Sequence, residues 1–457
     1  MSAEDEAEVE DRFIRNREQL LNHGDREGRQ IVLDILDDTL LALRPERLID
    51  DAVARNGNAL SIDGTDYELD AFENRYLIAA GKGSAAFARA VRKRAGDRLT
   101  GGLVVDKRGQ TEAVGELEIY EADHPIPSTE SERAGNAALS MADAAGEDDL
   151  VIVVITGGAS ALLSVPPDGV TVSEQAAVTE ALLRAGAPIE DINAVRKHVS
   201  QLKGGRLTER LRPATIVSLV LIDEVAGDPW GPTVPDRTTP SEAIEALKRH
   251  GCWGETPTSV REHLGDDSRS DTPTSFQNPP QTVVLADGND ACETAAESAD
   301  KFGIDAAVLS TSIEGESRTV GRTLSSIAAE VAESGRPFEP PCVLVSGGET
   351  TVTVSSDAGI GGPNQEFALA CADRIDGMEI TVAAVDTDGT DGPTDRAGGI
   401  VDGRTATRAA GLDLDIDAKL RAHDATNALS ELGDDIVTRA GTNVNDLRLI
   451  YVAARSA

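Results

Sequence analysis

Short, almost wholly apolar runs, each ending in a glycine- or aspartate-rich turn and followed by a helical stretch, constrain this chain more than any other feature. Val151 to Ile155 is apolar throughout and runs into Thr156-Gly157-Gly158-Ala159-Ser160; Arg75 to Ala80 (RYLIAA) runs into Gly81-Lys82-Gly83-Ser84. A strand with one wet face alternates apolar and polar residues, whereas a continuous apolar strand is buried on both faces, the situation of a parallel sheet covered by helices. GGLVVDK, ELEIYEADHP and TIVSLVLID repeat the pattern, and the stretches SAAFARAVRKRAG, 128–145, 174–186 and 189–202 between them read as helices. Residues 1–55 also read as helical, with ILDDTLLAL carrying apolar residues at helical spacing. Residues 252–281 interrupt the alternation with Pro, Thr, Ser and Asp. It resumes as QTVVLAD, a helix over 289–302, DAAVLSTS, a helix over 316–334, PCVLVSGGETTVTV, a helix from Asn364, EITVAAVDTDG and LRLIYVAA. The expectation is an α/β chain of two domains: 1–251, a linker or surface loop over 252–281, and 282–457.

Charge narrows the function. Lys plus Arg number 43 and Asp plus Glu 80, a formal net charge of −37, and only eight of the bases are lysines. Self-repulsion of that size loosens a compact fold at low salt. At 1 M salt the Debye length is about 3 Å and the repulsion is screened. The composition therefore points to a salty cytoplasm. No basic stripe is available to neutralise nucleic-acid phosphates, so nucleic acid is not an expected partner. No apolar run reaches the ~20 residues of a membrane span. The acidic start MSAEDEAEVEDRF lacks the basic and apolar regions of a secretory signal. Four cysteines (Cys252, Cys292, Cys342 and Cys371) lie far apart, with no CxxC pair, and read as free thiols in a reducing compartment.

In an open α/β sheet, ligands bind beyond the carboxyl ends of the strands. Gly81-Lys82-Gly83-Ser84 and Thr156 to Ser160 are strand-to-helix turns of the kind whose N–H groups cradle phosphate, and either is equally a tight packing turn. Gly81, Gly83 and Ala86 also fit G-x-G-x-x-A, with Asp106 ending the next strand, the pattern of a dinucleotide fold. A run of cations follows: Arg196, Lys197, His198, Lys203 and Arg206, with Arg196, Lys203 and Arg206 spaced to share a helix face up to Gly204-Gly205. In so acidic a chain this run is a candidate clamp on anionic substrate or phosphate. Asp223 and Glu224 end one strand; Asp386, Asp388 and Asp391 lie in a loop after another. Mg²⁺ asks for one or two carboxylates plus substrate phosphates, so both places are candidates, and turn-forming Asp-Gly is the alternative. The six histidines show no zinc spacing.

GKGSAA, TGGASALL, INAVRKHVSQLKGGRL, GPTVPD, VSGGETTVTV, GGPNQEFALA, DTDGTDGPTDRAGGIVDG and GTNVNDL, in this order from about residue 28 onward, resemble the glycerate 2-kinase family with its C-terminal MOFRL domain. The resemblance implies an N-terminal Rossmann-like domain with helices on both faces of its sheet, a smaller C-terminal α/β domain and an active site in the cleft between them. It implies phosphorylation of D-glycerate at the 2-hydroxyl by ATP with Mg²⁺, with glycerate and nucleotide as small-molecule partners and a homodimer as one candidate assembly. The catalytic residues it implies are Lys82, Arg196, Lys197 and Asp223. Gly81, Gly83, Ser84, Gly157, Gly158, Ser160, Lys203, Gly347, Gly348, Glu349, Thr350, Asn364, Gln365 and Glu366 would bind substrate or phosphate, and Asp386, Asp388 and Asp391 metal. Three departures stand out. Ile222-Asp223-Glu224-Val225 replaces the family's SDV, Trp230-Gly231-Pro232-Thr233 replaces SGPT, and Pro363 replaces the arginine of GGRNQE. An NAD(P)-dependent hydroxypyruvate reductase and a non-catalytic glycerate-binding protein are the alternatives.

Overall fold

The computed structural model describes residues 12–109, 111–223, 230–266, 268–354 and 358–455. The chain forms two compact units. One comprises Leu48–Ile222 and the described part of Asp228–Leu285; the other draws chiefly on the described parts of Met1–Arg47 and Ala286–Ala457.

The first unit is built on a six-stranded sheet. Its spatial order is Glu118–Ala122, Gly101–Lys107, Asn74–Ala80, Asp149–Ile155, Thr215–Leu221 and Gln281–Ala286. The pairings among the first five strands are all parallel. The chain starts in the middle at Asn74–Ala80, fills one side, then returns to the centre at Asp149–Ile155 and fills the other. The reversal falls between these two strands, whose buried apolar residues account for the continuous runs in the sequence. Ile78, Ala80, Leu103, Val105, Val151, Val153 and Ile155 pack on helix Thr129–Ala144, whose N-terminus is held by the reciprocal Ser128–Ser131 capping box.

The second unit has a mixed six-stranded sheet, ordered Asp305–Ser310, Cys342–Ser346, Asp446–Val452, Ile380–Asp386, Gly398–Asp402, Asp435–Ile436. The first pair is parallel, and the last long strand, Asp446–Val452, runs antiparallel to both its neighbours. Helices Ser317–Ser334 and Pro363–Cys371 cover one face and helices Arg26–Ala42 and Gly288–Lys301 the other.

The unit boundaries differ from those expected. Helix Arg26–Ala42 belongs with the C-terminal sheet, where Val32, Leu33, Ile35, Leu36 and Leu40 pack with Val343, Val345, Leu447 and Leu449. Arg29, fully buried, fixes it there by pairing with Asp402 and, at 2.8 Å, with Asp434. An amphipathic helix announces that it has an apolar face but not which sheet covers it. At the other boundary, strand Gln281–Ala286 closes the edge of the N-terminal sheet, so 282 does not begin the second unit. The stretch 252–281 is not a plain linker either: it holds helix Thr258–Leu264, with Cys252, Val260 and Leu264 in a core cluster with Leu247.

Candidate active site

The two glycine-rich turns at the strand reversal interlock. The Lys82 N–H donates to the Gly157 carbonyl at 2.8 Å, the Thr156 N–H to the Ala80 carbonyl at 3.0 Å, and the Thr156 hydroxyl to the Lys82 carbonyl at 2.9 Å. Gly81 has φ +130°, and a Cβ there would lie 2.1 Å from the Thr156 hydroxyl oxygen, so no side chain fits where the turns meet. Gly83 (φ +71°) opens helix Ser84–Ala95 and Gly158 (φ +81°) the turn Ala159–Leu162. A Cβ on Gly158 would lie 2.9 Å from His124 Cδ2 and 3.3 Å from Lys82 Cγ. The half-buried Lys82 side chain and the His124 ring thus flank Gly158, with half-buried Ser160 two residues on. His124 was not foreseen. Its signal was present, a histidine two residues past the end of strand Glu118–Ala122, in the string ELEIYEADHP.

The turn does not offer its N–H groups to a ligand. The buried Asp106 carboxylate accepts from the N–H of Gly83 (3.0 Å), Ala85 (3.1 Å) and Lys107 (2.7 Å). Burial raises its pKa while these N–H groups pull it down. Ser84, also fully buried, gives its hydroxyl to the Val105 carbonyl at 2.9 Å. The expected phosphate roles of the Gly83 N–H and the Ser84 hydroxyl are therefore corrected: the chain's own carboxylate fills that helix N-terminus. The G-x-G-x-x-A reading falls with them, because Asp106 stands where a pyrophosphate would sit and is not turned to a ribose.

The cationic run divides into two. Lys197 pairs with buried Asp236 at 2.9 Å. Asp236 also accepts from the Thr238 N–H (3.0 Å) and the Thr272 hydroxyl (3.1 Å). Burial pushes Asp236 up, but the Thr238 N–H and Lys197 outweigh it and hold the carboxyl below its ordinary value. Lys197 is thereby a strut of the loop that follows Gly231-Pro232-Thr233, which corrects its expected catalytic role. Arg206 donates to the Ser270 and Asp271 carbonyls. The shared helix face does not form: helix Ile189–His198 stops at His198 and a new one, Arg206–Leu211, starts after Gly205 at φ +82°. Lys203 is different. Buried, its ammonium meets, among the described residues, only the Ser164 hydroxyl at 2.7 Å and the Leu163 carbonyl at 3.4 Å. Burial, with the half-buried Arg196 nearby, pushes it down to about 7. A buried cation whose hydrogen-bond partners are both neutral is costly, and an anion placed against it would relieve the cost.

Asp223, half-buried, lies two residues beyond strand Thr215–Leu221. Glu224 and Asp228 lie outside the described residues.

The C-terminal candidates form an interior network. Asp391 accepts from the N–H groups of Asn364 (3.0 Å) and Gln365 (2.9 Å) and so caps helix Pro363–Cys371, in which Pro363 occupies the first turn. Burial, augmented by the nearby Asp446 carboxylate, pushes it up to about 7. Asn364 reaches Asp446 at 2.6 Å; Asp446 pairs with fully buried Arg448 and accepts from the Thr350 N–H. Arg448 in turn donates to the Gly347 carbonyl (3.1 Å) and the Thr350 hydroxyl (3.0 Å). Glu366 pairs with His423 at 2.7 Å. A Cβ on Gly348 (φ +103°) would lie 2.2 Å from the Ile313 nitrogen, so this glycine serves a close backbone approach; Glu349 is exposed beside it. Asn364, Gln365, Glu366 and Asp391 are each about 1% exposed or less, and Asn364 Oδ1 and Glu366 Oε2 have no hydrogen-bond partner among the described residues. Of the expected metal carboxylates, Asp391 is buried, whereas Asp386 and Asp388 are half-buried. Both Asp391 oxygens hold backbone N–H groups, Asp386 Oδ1 accepts from the Asp388 N–H, and Asp388 Oδ1 from the Thr390 N–H. Among the described residues no group of three acidic, His or Cys side chains is placed to hold a metal.

Known proteins resemble the chain along most of its length. Residues 31–265 match a family model described as a domain of unknown function, DUF4147, and residues 342–446 match the MOFRL family. The chain is 37% identical to a glycerate 2-kinase of Pyrococcus horikoshii, over 93% of this chain and 98% of the relative. It is 38% identical to a putative hydroxypyruvate reductase of Agrobacterium vitis, over 82% of this chain and 86% of that one. The crystal structure of a glycerate kinase from Thermotoga maritima superposes with a TM-score of 0.81 at 35% identity, covering 93% of this chain and 99% of that one.

Proposed function

Since this chain belongs to the glycerate 2-kinase family, we infer that it is an enzyme that phosphorylates glycerate, and we propose ATP as the donor and the 2-hydroxyl of D-glycerate as the acceptor. The observation that carries the site assignment is the interlock of the Lys82 and Gly157 turns at the strand reversal, where open α/β sheets bind their ligands.

Phosphoryl transfer asks for positioning and for neutralisation of the charge on the transferred group. Lys82 stands at the mouth of the reversal and supplies a cation there. Gly158, without a side chain, lets His124 and Lys82 close on the same turn. His124 is in place to accept the proton of the attacking hydroxyl, a task suited to an imidazole near neutral pH. Arg196 and the buried Lys203 supply further positive charge for the glycerate carboxylate or the phosphates. Asp223, just beyond the end of the next strand, would hold Mg²⁺ together with the nucleotide, and the ion would supply charge neutralisation there. The missing family arginine at Pro363 leaves Arg196 as the cation on which this reading leans.

One relative is named for hydroxypyruvate reduction, but Asp106 filling the G-x-G-x-x-A turn counts against a dinucleotide there. The acidic excess supports a salty cytoplasm as the working medium. Phosphorus NMR of the product tests the regiochemistry: the 2-phosphate ester supports the reading, and the 3-phosphate ester overturns it.

A further inference from the structure

A second basic place lies away from the strand reversal. Arg89, Arg92 and Lys93, spaced to share one face of helix Ser84–Ala95, line a cavity of about 420 Å³ with Gly96, Asp97, Ala113, Val114 and Gly115. Its three cations face one lining carboxylate, Asp97, in a chain whose formal charge is −37. Arg89 also meets Glu112 from outside the lining, at 3.1 Å.

The bland explanation is that cations gather at a helix C-terminus to complement its dipole. That task already has an occupant: Arg55 donates to the Ala95 carbonyl at 2.9 Å, and its guanidinium lies 2.4 Å from where a Cβ on Gly96 would stand. Dipole complementation also requires neither a cavity nor Arg89, a turn further back. The Arg92 guanidinium packs against the backbone of the cavity wall. Gly115 has φ +59°, and a Cβ there would lie 2.3 Å from Arg92 Cζ. Two guanidinium forks and an ammonium around a cavity of ligand size match the oxygens of a phosphate group, which arginine engages bidentately.

We propose that this cavity binds a small, multiply charged, phosphate-bearing anion, at a site separate from the one that holds the reacting phosphates. Lys82 precedes the same helix at its other end. Lys82 lies seven residues before Arg89 and eleven before Lys93, about 10 to 16 Å at the helical rise, so one phosphate group cannot serve both places.

Calorimetric titration with inorganic pyrophosphate, in the lowest KCl at which circular dichroism shows the native fold, tests the proposal. The expected result is saturable binding that Lys93→Glu weakens at least tenfold and Lys82→Ala leaves in place. Lys93 is exposed, so its replacement does not endanger folding. No saturable binding, binding indifferent to Lys93→Glu, or binding abolished by Lys82→Ala would each overturn the site. Citrate binding as tightly as pyrophosphate would overturn the assignment to phosphate. None of these outcomes depends on the kinase reading.

Discussion

The carboxylate of Asp106 accepts the N–H of Gly83 at 3.0 Å, and thereby occupies the helix N-terminus that a Gly-Lys-Gly-Ser turn would otherwise present to a phosphate. The backbone of this turn is thus held by the protein itself. Asp106→Ala strips acceptors from three N–H groups in a buried place. At roughly 1–3 kcal/mol for each buried group left unsatisfied, the chemical-denaturation midpoint should fall by several kcal/mol equivalent. Asp106→Asn should recover part of the loss. A midpoint unchanged in Asp106→Ala would contradict the capping role.

Lys203 should behave as a functional cation that stability does not need. Its pKa is lowered to about 7, so the unfolded chain binds the extra proton between about pH 7 and 10.5, and stability from this group rises with pH across that window. Lys203→Met should abolish the rise and leave the midpoint at pH 7 equal or higher, while turnover drops at least a hundredfold. An anion bound against Lys203 favours its charged form, so ligand binding at pH 8 should take up protons. Calorimetry in buffers of different ionisation enthalpy would detect this.

Lys197 should show the opposite profile. Removing it takes the direct ion pair from the buried Asp236, which keeps its hydroxyl and amide donors and His198 at 3.6 Å. Lys197→Ala should lower the melting temperature clearly, yet the folded variant should keep turnover within about tenfold of wild type, because a strut and not a reacting group has been lost. Loss of turnover with unchanged melting would return Lys197 to the catalytic set.

Asp391, pushed up to about 7, retains a proton in the folded state that the unfolded chain has lost above about pH 4. Its contribution therefore falls as pH rises from about 4 to 7 and is constant above. Asp391→Asn should remove that portion of the pH dependence, read as the difference between the two denaturation midpoints at pH 5 and pH 8. An identical pH dependence in the two proteins would contradict an interior Asp391.

The strands were legible because burial on both faces writes continuous apolar runs such as Val151 to Ile155, and their alternation with helices gave the fold class. The partner of helix Arg26–Ala42 was not legible, since Leu33 and Leu36 declare an apolar face without naming Val343 or Leu449 as what covers it. At the strand reversal, the turns were legible because Gly81, Gly83 and Gly158 stand where positive φ asks for glycine. The polar residues misled. Asn364, Gln365, Glu366 and Asp391 look like ligand groups in a string of letters, and only the fold reveals that Asp391 caps the helix that carries the other three and that all four lie in the interior. His124 passed unnoticed because its place is set by Gly158, thirty-four positions along the chain, and not by any residue beside it.

The most direct measurement is ADP release from ATP and Mg²⁺ with D-glycerate, in multimolar KCl, for the wild-type chain and for Lys82→Ala, with NADH and hydroxypyruvate run in parallel. Glycerate-dependent ADP from the wild type, lost in a folded Lys82→Ala variant, with NADH untouched, is the result predicted here. NADH oxidation without ADP release, or full ADP release from Lys82→Ala, would contradict a phosphoryl-transfer site at the strand reversal.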